Sequence, residues 1–492
     1  MRILKTLILI YISVVGLYAC ISDDEFIESS EACLKFSVDS ISFDTLISGN
    51  LSTTQSFWVY NTSNEHIFIS SIHFEKEEQS CFRANVDGEA LESGRIQGIE
   101  LRANDSLCVF VDVTAPFLDI DSPIEHTDNL IFNLGSHLEQ SVHLRVAGQD
   151  VIELKGWQVT DCDTLKGLRP YHVTDSLVVL PGATLFLEAG VTLLFSNDAS
   201  LHVYGKLIAE GAPNADVVLR GDRFDDMFDN QPYDRIPDQW GGLHFYSQSY
   251  ENQLNHVDIH SGRFGIRCDS ADVSRMKLTL NNSIVHNVSE DCLYLRNVQT
   301  QVGNSQITNA GGNCLTIKGG THSFVHCTIG QFYPFSAMRG NALNFTNFEG
   351  DQRFPLYKLD FQNCIITGYA NDEIMGSSSD RYKDDAFNYS FATCLLNTPK
   401  YESEQIVDCL WEEDNECARA DNFNPKFDTE SLIFTFTLSP QSVAAGSANP
   451  QITANTFPYD RNGILRNAIT PDMGCYIQNA DSTTMTTSHL SY

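Results

Sequence analysis

Four side chains are spaced so that they could bind one anionic ligand together. Arg267, Tyr294, Arg296 and Lys318 fall on successive short predicted strands, at the alternate positions that point away from the apolar residues. If these strands stack about 4.8 Å apart, the four side chains form a compact basic and aromatic patch. Such a patch can bind carboxylates or sulfates through charge-assisted hydrogen bonds. We therefore predict a glycan-binding surface here, and the alternative is an ordinary solvated outer face.

A second candidate is the loop GDRFDDMFDNQPYDRIPDQWGG (221–242), which is crowded with carboxylates. Asp222, Asp225, Asp226 and Asp229 could supply the hard oxygen ligands that calcium prefers. Their spacing matches no EF-hand, so a loop held together by its own ion pairs is favoured over a calcium site. We expect no other cofactor.

A third candidate is a pair of histidines at equivalent positions of two predicted strands. His260 and His286 would be neighbours if the strands stack, with Asp258 nearby on the same face. A general base oriented by a carboxylate is conceivable, although solvent-facing polar residues are favoured. The sequence contains no His-Glu-x-x-His motif, no phosphate-binding glycine loop and no Gly-x-Ser-x-Gly motif. These three catalytic motifs therefore give no evidence that the chain is an enzyme.

Internal repeats must position these residues. One strand type recurs six times with small or apolar second and fourth residues, which predicts an inward face. The six copies are 256–260, 282–286, 304–308, 326–330, 363–367 and 393–397. A second type has inward residues Ile266/Cys268, Leu293/Leu295, Leu315/Ile317 and Leu343/Phe345. The central copies are 22 residues apart, with inserted loops predicted near 330–340 and 346–356.

Short strands separated by glycine and proline turns precede these repeats in 150–220, and PYDRNGILRNAITPDMGCYI (458–477) follows them. The whole of 151–478 resembles right-handed parallel β-helix proteins of the pectate-lyase-like kind. That resemblance implies that residues 458–477 cap the open end of the helix. It also implies a polysaccharide lyase if the chain is an enzyme, with Arg or Lys removing a proton beside a uronate carboxylate. The fold hosts many functions, so it does not choose among them.

Residues 35–150 show period-two alternation broken by polar turns, as in 56–74 and 100–116. Such alternation predicts a β-sandwich. The segment resembles immunoglobulin-like domains. The predicted fold class is therefore all-β, with an immunoglobulin-like sandwich followed by a right-handed parallel β-helix.

The chain contains 14 cysteines. The repeat places Cys327, Cys364 and Cys394 in an inward ladder, where buried thiols act as small hydrophobic groups. Two pairs, Cys81–Cys108 and Cys409–Cys417, remain candidates for disulfides.

The first residues indicate export. Arg2, Lys5 and an apolar stretch precede Leu17-Tyr-Ala-Cys20, so residues 1–19 are predicted to be a signal peptide. The segment looks like a bacterial lipoprotein signal, which implies a lipid on Cys20. The acidic residues after Cys20 are similar to the export tag of Bacteroidetes-type surface lipoproteins. Residues 20–34 would then be a tether and 479–492 a tail.

The net charge of −33 argues against nucleic acid and anionic membrane surfaces as partners. The lipid would be the only membrane contact, and we expect a monomer. The predicted function is therefore that of an outward-facing lipoprotein of the outer membrane that binds extracellular glycan without cleaving it. The alternatives are a polysaccharide lyase or glycoside hydrolase that acts on acidic polysaccharide, and a structural or adhesion protein.

Overall fold

The structure is a computed structural model that describes residues 33–91, 94–134, 138–228 and 230–478. The predicted signal peptide, Cys20, most of the tether and the tail therefore lie outside the described residues. The chain divides into two compact units, with the boundary between Gln149 and Asp150 and with Asp119–Ser122 assigned to the second unit. In the described residues, no helix is long and apolar enough to cross a membrane.

The first unit contains two five-stranded sheets, in the orders β1-β3-β8-β5-β6 and β2-β10-β9-β4-β7. Their strands are β1 (Lys35–Phe36), β2 (Ser40–Ile47), β3 (Gln55–Tyr60), β4 (Ile67–Phe74), β5 (Phe82–Val86), β6 (Glu89–Ala90), β7 (Arg95–Leu101), β8 (Ser106–Val113), β9 (Ile124–Asn133) and β10 (Glu139–Gln149). The pairs are antiparallel except β2 with β10, which is parallel.

Period-two alternation explains how these sheets pack. In β10, Val142, Leu144 and Val146 are buried while the residues between them are exposed. They share one hydrophobic core with residues of the other sheet, including Phe57 and Val111. The first unit is therefore a two-layer sandwich.

The second unit contains parallel sheets of 11 and 17 strands. Its strands are β11 (Ile152–Lys155), β12 (Gln158–Val159), β13 (Cys162–Leu165), β14 (Tyr171–Thr174), β15 (Leu177–Val179), β16 (Thr184–Glu188), β17 (Thr192–Phe195), β18 (Leu201–Val203), β19 (Lys206–Glu210), β20 (Val217–Gly221), β21 (Asp226–Phe228), β22 (Gln231–Pro232), β23 (Leu243–Phe245), β24 (Asn252–Asn255), β25 (Val257–His260), β26 (Ile266–Cys268), β27 (Met276–Asn281), β28 (Ile284–Val288), β29 (Leu293–Gly303), β30 (Gln306–Ala310), β31 (Leu315–Val325), β32 (Thr328–Gln331), β33 (Leu343–Thr346), β34 (Phe348–Glu349), β35 (Gln352–Arg353), β36 (Leu356–Gln362), β37 (Ile365–Gly368), β38 (Ile374–Ser377), β39 (Ser390–Ala392), β40 (Leu395–Leu396), β41 (Ile406–Val407) and β42 (Leu410–Trp411). The helices described in the chain are short: Glu77–Gln79, Tyr233–Arg235, Asp380–Tyr382, Glu412–Asp414, Arg419–Asn422 and Pro450–Asn455.

The chain passes repeatedly through three ladders of parallel strands. One ladder is the 11-stranded sheet, and the other two run side by side in the 17-stranded sheet and merge in β29 and β31. Leu293 pairs with Leu315, and Leu315 pairs with Leu343, so apolar residues stack in register. The inward residues predicted for both strand types are buried in one core. Each coil of the stack therefore buries its apolar face on its neighbours.

One corner of the stack uses the same backbone conformation in seven successive coils, from the coil of β25 to the coil of β42. A residue with φ between 49° and 55° stands at this corner in His256, Asn282, Asn304, His326, Asn363, Thr393 and Asp408. Asparagine tolerates this left-handed region better than most residues. The amide of Asn304 donates to Asn282, and that of Asn282 donates to Asn255, each at 2.8 Å. An amide ladder thus runs along the corner.

The predicted thiol ladder is present and extends by one residue. The backbone amides of Cys327, Cys364 and Cys394 lie 3.3–3.4 Å from the Sγ atoms of Cys364, Cys394 and Cys409. Every cysteine in the described residues is a free thiol, so the two candidate disulfides are not formed. Cys409 belongs to the ladder instead, and the Cys417 thiol donates to the backbone oxygen of Asp421.

The C-terminal segment does not sit where a cap over one end of the stack would. Its side chains contact several coils along the outer face of the 11-stranded sheet: Arg461 pairs with Asp216, Arg466 donates to Asn304 and Tyr476 donates to Gln306. That face carries apolar residues such as Ile365, which pack against the segment. The C-terminal segment lies along the side of the stack because it covers these apolar residues.

Candidate functional site

The structure brings the four predicted glycan-binding residues together on the outer face of the 17-stranded sheet. Arg267 on β26 pairs with Tyr294 on β29, and Arg296 on β29 pairs with Lys318 on β31. All four side chains are half-buried, because the inward residues between them hold the strands against the core. Side-chain alternation therefore predicted correctly that these four residues lie on the outer face and next to one another.

The patch contains carboxylates as well as cations. Arg296 lies 3.3 Å from Asp269 and 3.5 Å from Glu349. The Tyr294 hydroxyl donates to the Glu349 carboxylate. Arg267 stands over aromatic rings instead, 5.1 Å from the centre of the Tyr294 ring. The predicted basic and aromatic patch is therefore mixed in charge, because an inserted hairpin, β34–β35, brings Glu349 over it.

These contacts shift the protonation of the patch. Burial lowers the pKa of the Lys318 ammonium. Burial and the hydrogen bond to Glu349 raise the pKa of Tyr294, so its phenol stays neutral. The neighbouring His244 imidazole lowers the pKa of Asp269, which stays ionised. Lys318 is thus the cation of the patch that loses its proton more easily than usual.

An aromatic extension of the patch was missed by the sequence reasoning. The rings of Tyr204 and Tyr246 are stacked with centres 3.9 Å apart, and the His244 ring lies 4.0 Å from Tyr246. His202, His244, Arg267 and Tyr294 pair in succession along one ladder. The repeated Leu-His-x-Tyr at 201–204 and 243–246 is the signal that could have found it. No periodic signal marks Glu349, since it lies in an insertion.

We call the whole surface the aromatic–basic strip. It consists of His202, Tyr204, His244, Tyr246, Arg267, Asp269, Tyr294, Arg296 and Lys318. Stacked rings and charged groups at the spacing of neighbouring strands can pack on sugar rings and bind acidic substituents.

The carboxylates of the acidic loop pair both within the loop and with His172 on strand β14. Asp222 lies 3.1 Å from the His172 imidazole, and Asp225 accepts a hydrogen bond from Nε of Arg223 at 2.9 Å. Asp226 begins the hairpin strand β21, while Asp229 lies outside the described residues. Calcium binding by this loop therefore stays a prediction.

The third candidate is a compact cluster on the outer face of the 11-stranded sheet. His260 on β25 and His286 on β28 pair across strands, and their ring centres are 4.9 Å apart. Nδ1 of His260 lies 2.9 Å from Asp258, and its Nε2 lies 2.8 Å from Asp234. Burial alone would lower the pKa of His260, but Asp234 and Asp258 outweigh it and raise the pKa to about 10.

This cluster is also the place where metal ligands gather. One ligand atom each from Asp258, His260 and His286 lies within 4.8 Å of the others, and no other such group occurs among the described residues. The sequence signal for this cluster was the equivalent position of the two histidines in the repeat.

Comparisons with known proteins give limited similarity. No family model matches the chain. The Drosophila melanogaster protein bark beetle is 28% identical over 116 residues, which are 22% of this chain but only 4% of that protein. The chain thus spans a small fraction of this curated relative.

Two solved structures show weak likeness. A PapD-like domain of human CEP192 is 10% identical, with a TM-score of 0.17, and the alignment covers 27% of this chain and 92% of that one. The Escherichia coli chaperone DraB is 11% identical, also with a TM-score of 0.17, over 24% of this chain and 55% of that one. The fold is therefore described from the strands and sheets of this chain and not from these similar structures.

Proposed function

We propose that the protein is a lipid-anchored lipoprotein of the outer membrane that faces outward and binds extracellular glycan without cleaving it. In this proposal the sandwich is an immunoglobulin-like module, and the stack of coils is a right-handed parallel β-helix. The aromatic–basic strip is the binding surface.

One observation supports this proposal above the others. Rings and cations follow one another at outward, half-buried positions of neighbouring strands, from the stacked Tyr204 and Tyr246 to Lys318. Within the described part of the chain, no ion pair shorter than 4.0 Å involves Arg267 or Lys318. These two cations therefore keep charge for an acidic ligand, although the chain as a whole is strongly negative.

Binding is tested by gel retardation and calorimetry of the detergent-solubilised full chain with a panel of acidic polysaccharides. We expect the double variant Arg267→Ala, Lys318→Ala to bind at least about tenfold more weakly, because two charge-assisted hydrogen bonds are lost. The control variant Arg145→Ala, Lys358→Ala removes the same charge from exposed positions outside the strip and should bind normally. Equal affinity of both double variants would contradict the proposal, as would unchanged mobility across the panel.

A lyase is the second candidate, because Lys318 stands on the strip where a uronate would lie, and burial lowers the pKa of its ammonium. The fraction of Lys318 that has lost its proton to solvent can accept the proton whose removal starts elimination. New unsaturated ends that absorb in the ultraviolet, formed by the wild type but not by Lys318→Ala, would establish this activity and exclude the non-cleaving function.

A further inference from the structure

We propose that Asp258, His260 and His286 form a binding site for a divalent transition metal, of which zinc is the best match. The site lies on the 11-stranded sheet, while the aromatic–basic strip lies on the 17-stranded sheet. The proposal is therefore independent of glycan binding.

The distances between the candidate ligand atoms fit a small tetrahedral ion. Oδ1 of Asp258 lies 2.9 Å from Nδ1 of His260 and 3.3 Å from Nε2 of His286. In a tetrahedral zinc site with bonds of about 2.0–2.1 Å, ligand atoms are about 3.3 Å apart. Small side-chain adjustments would therefore place all three atoms around one ion.

A second observation concerns the other nitrogen of His260. A histidine that binds a metal usually donates its remaining ring N–H to a carboxylate, which fixes the ring and its tautomer. Nε2 of His260 lies 2.8 Å from Oδ1 of Asp234, and the same oxygen lies 2.8 Å from Arg220. The partners that orient a metal-binding imidazole are thus already in place, and Asp234 is a positioning residue.

The exposure of the three side chains indicates an open coordination position. His260 is 8% exposed, whereas Asp258 and His286 are 22% and 23% exposed. Three protein ligands with one side open to solvent leave the fourth position for water or a ligand atom. Two imidazoles and one carboxylate favour zinc and related ions over calcium or magnesium, which prefer oxygen ligands.

Binding requires that two ring nitrogens give up their hydrogens, because Nδ1 of His260 and Nε2 of His286 both face Oδ1 of Asp258. The proton on His260 Nδ1 leaves to solvent, and the proton on His286 Nε2 is lost while Nδ1 of the same ring takes up one from solvent. The two lone pairs that are set free form the bonds to the ion. No oxidant, reductant or further reactant is needed.

The test uses the full chain, stripped with a chelator and then titrated with Zn²⁺, Co²⁺ or Ca²⁺. We expect one equivalent of Zn²⁺ by calorimetry and metal analysis, and visible absorption bands of tetrahedral Co²⁺. His286→Ala should weaken Zn²⁺ binding at least about a hundredfold, and Asp234→Asn about tenfold to a hundredfold with unchanged stoichiometry. His143→Ala, an exposed histidine of the first unit, is the control and should bind normally.

Three results would overturn the proposal. They are the absence of stoichiometric Zn²⁺ in the wild type, equal Zn²⁺ affinity in His286→Ala and the wild type, and a preference for Ca²⁺ over Zn²⁺. The metal-free His286→Ala variant should melt within a few degrees of the metal-free wild type. A folded variant that still binds Zn²⁺ normally therefore counts against the site.

Discussion

Among single residues, His322 shows how burial sets protonation in this fold. Its side chain is 1% exposed, and its Nε2 lies 2.8 Å from the carbonyl oxygen of Gly319. Nε2–H donates to that oxygen, which leaves Nδ1 to accept from the Thr300 hydroxyl at 2.8 Å. Burial lowers the pKa of His322 to about 4, so the ring is neutral near pH 7.

This histidine should make the protein sensitive to acid. Because its pKa is lower in the folded state than the usual 6.5, its stabilising contribution is present above pH 6.5 and is lost as pH falls towards 4. Relative to His322→Gln, the wild type should lose on the order of 3 kcal/mol of unfolding free energy over that interval. Denaturant unfolding at several pH values measures the difference, and parallel curves for the two proteins would contradict it.

The sequence predicted some residues of the candidate site but not others. Arg267, Tyr294, Arg296 and Lys318 were found because side-chain alternation and in-register stacking fix their direction. Glu349 was not predictable, since an inserted hairpin obeys no period and its position depends on tertiary contacts. The mixed charge at the strip follows from Asp269 within it and from Glu349, which contacts Arg296 and Tyr294.

Among the structural elements, the corner at Asn304 connects the coils to the C-terminal segment. Its backbone has φ of 51°, and its side chain accepts a hydrogen bond from Arg466 at 2.6 Å. It also donates to Asn282 in the next coil. The side chain is 1% exposed, so each lost partner would leave a buried polar group unsatisfied.

Replacing this asparagine should destabilise the second unit. We expect Asn304→Ala to lower the free energy of unfolding by about 2–4 kcal/mol, because hydrogen bonds are lost and alanine must adopt a left-handed backbone conformation. Asn304→Gly loses the same hydrogen bonds but accepts the backbone conformation, and it should be about 1 kcal/mol less destabilised. Chemical denaturation measures both variants, and equal values would show that the backbone conformation contributes nothing.

The strands were more predictable than the segments that cover them. The 22-residue spacing predicted the pairing of Leu293 with Leu315 because each coil must place its apolar residues over the preceding ones. The position of 458–477 was not predictable in the same way. Its residues contact coils far away in sequence, as Arg461 does with Asp216, and no local period encodes such contacts.

For the whole molecule, the proposed membrane attachment depends on one residue outside the described structure. Cys20 directly follows the predicted signal peptide, and the described residues begin at Cys33, an exposed thiol. The net charge of −33 disfavours direct binding of the protein surface to anionic lipids. Attachment should therefore require a lipid on Cys20.

Fractionation of expressing cells tests this attachment. Wild-type protein should sediment with membranes and be released by detergent, while Cys20→Ala should appear in the soluble fraction. Cys33→Ala, which removes a nearby thiol, should remain with the membranes. Membrane-bound Cys20→Ala, or soluble Cys33→Ala, would contradict lipid attachment at Cys20.

The ladder of buried thiols has a consequence for how the protein responds to reducing agents. The described cysteines are all free thiols, and Cys327, Cys364 and Cys394 support the fold by filling the interior. The sulfurs of Cys364 and Cys394 also accept hydrogen bonds from the backbone amides of Cys327 and Cys364 in the adjacent coil. Packing and hydrogen bonds, rather than covalent crosslinks, hold these described residues in place. We therefore expect that a reducing agent leaves the melting temperature of the protein unchanged.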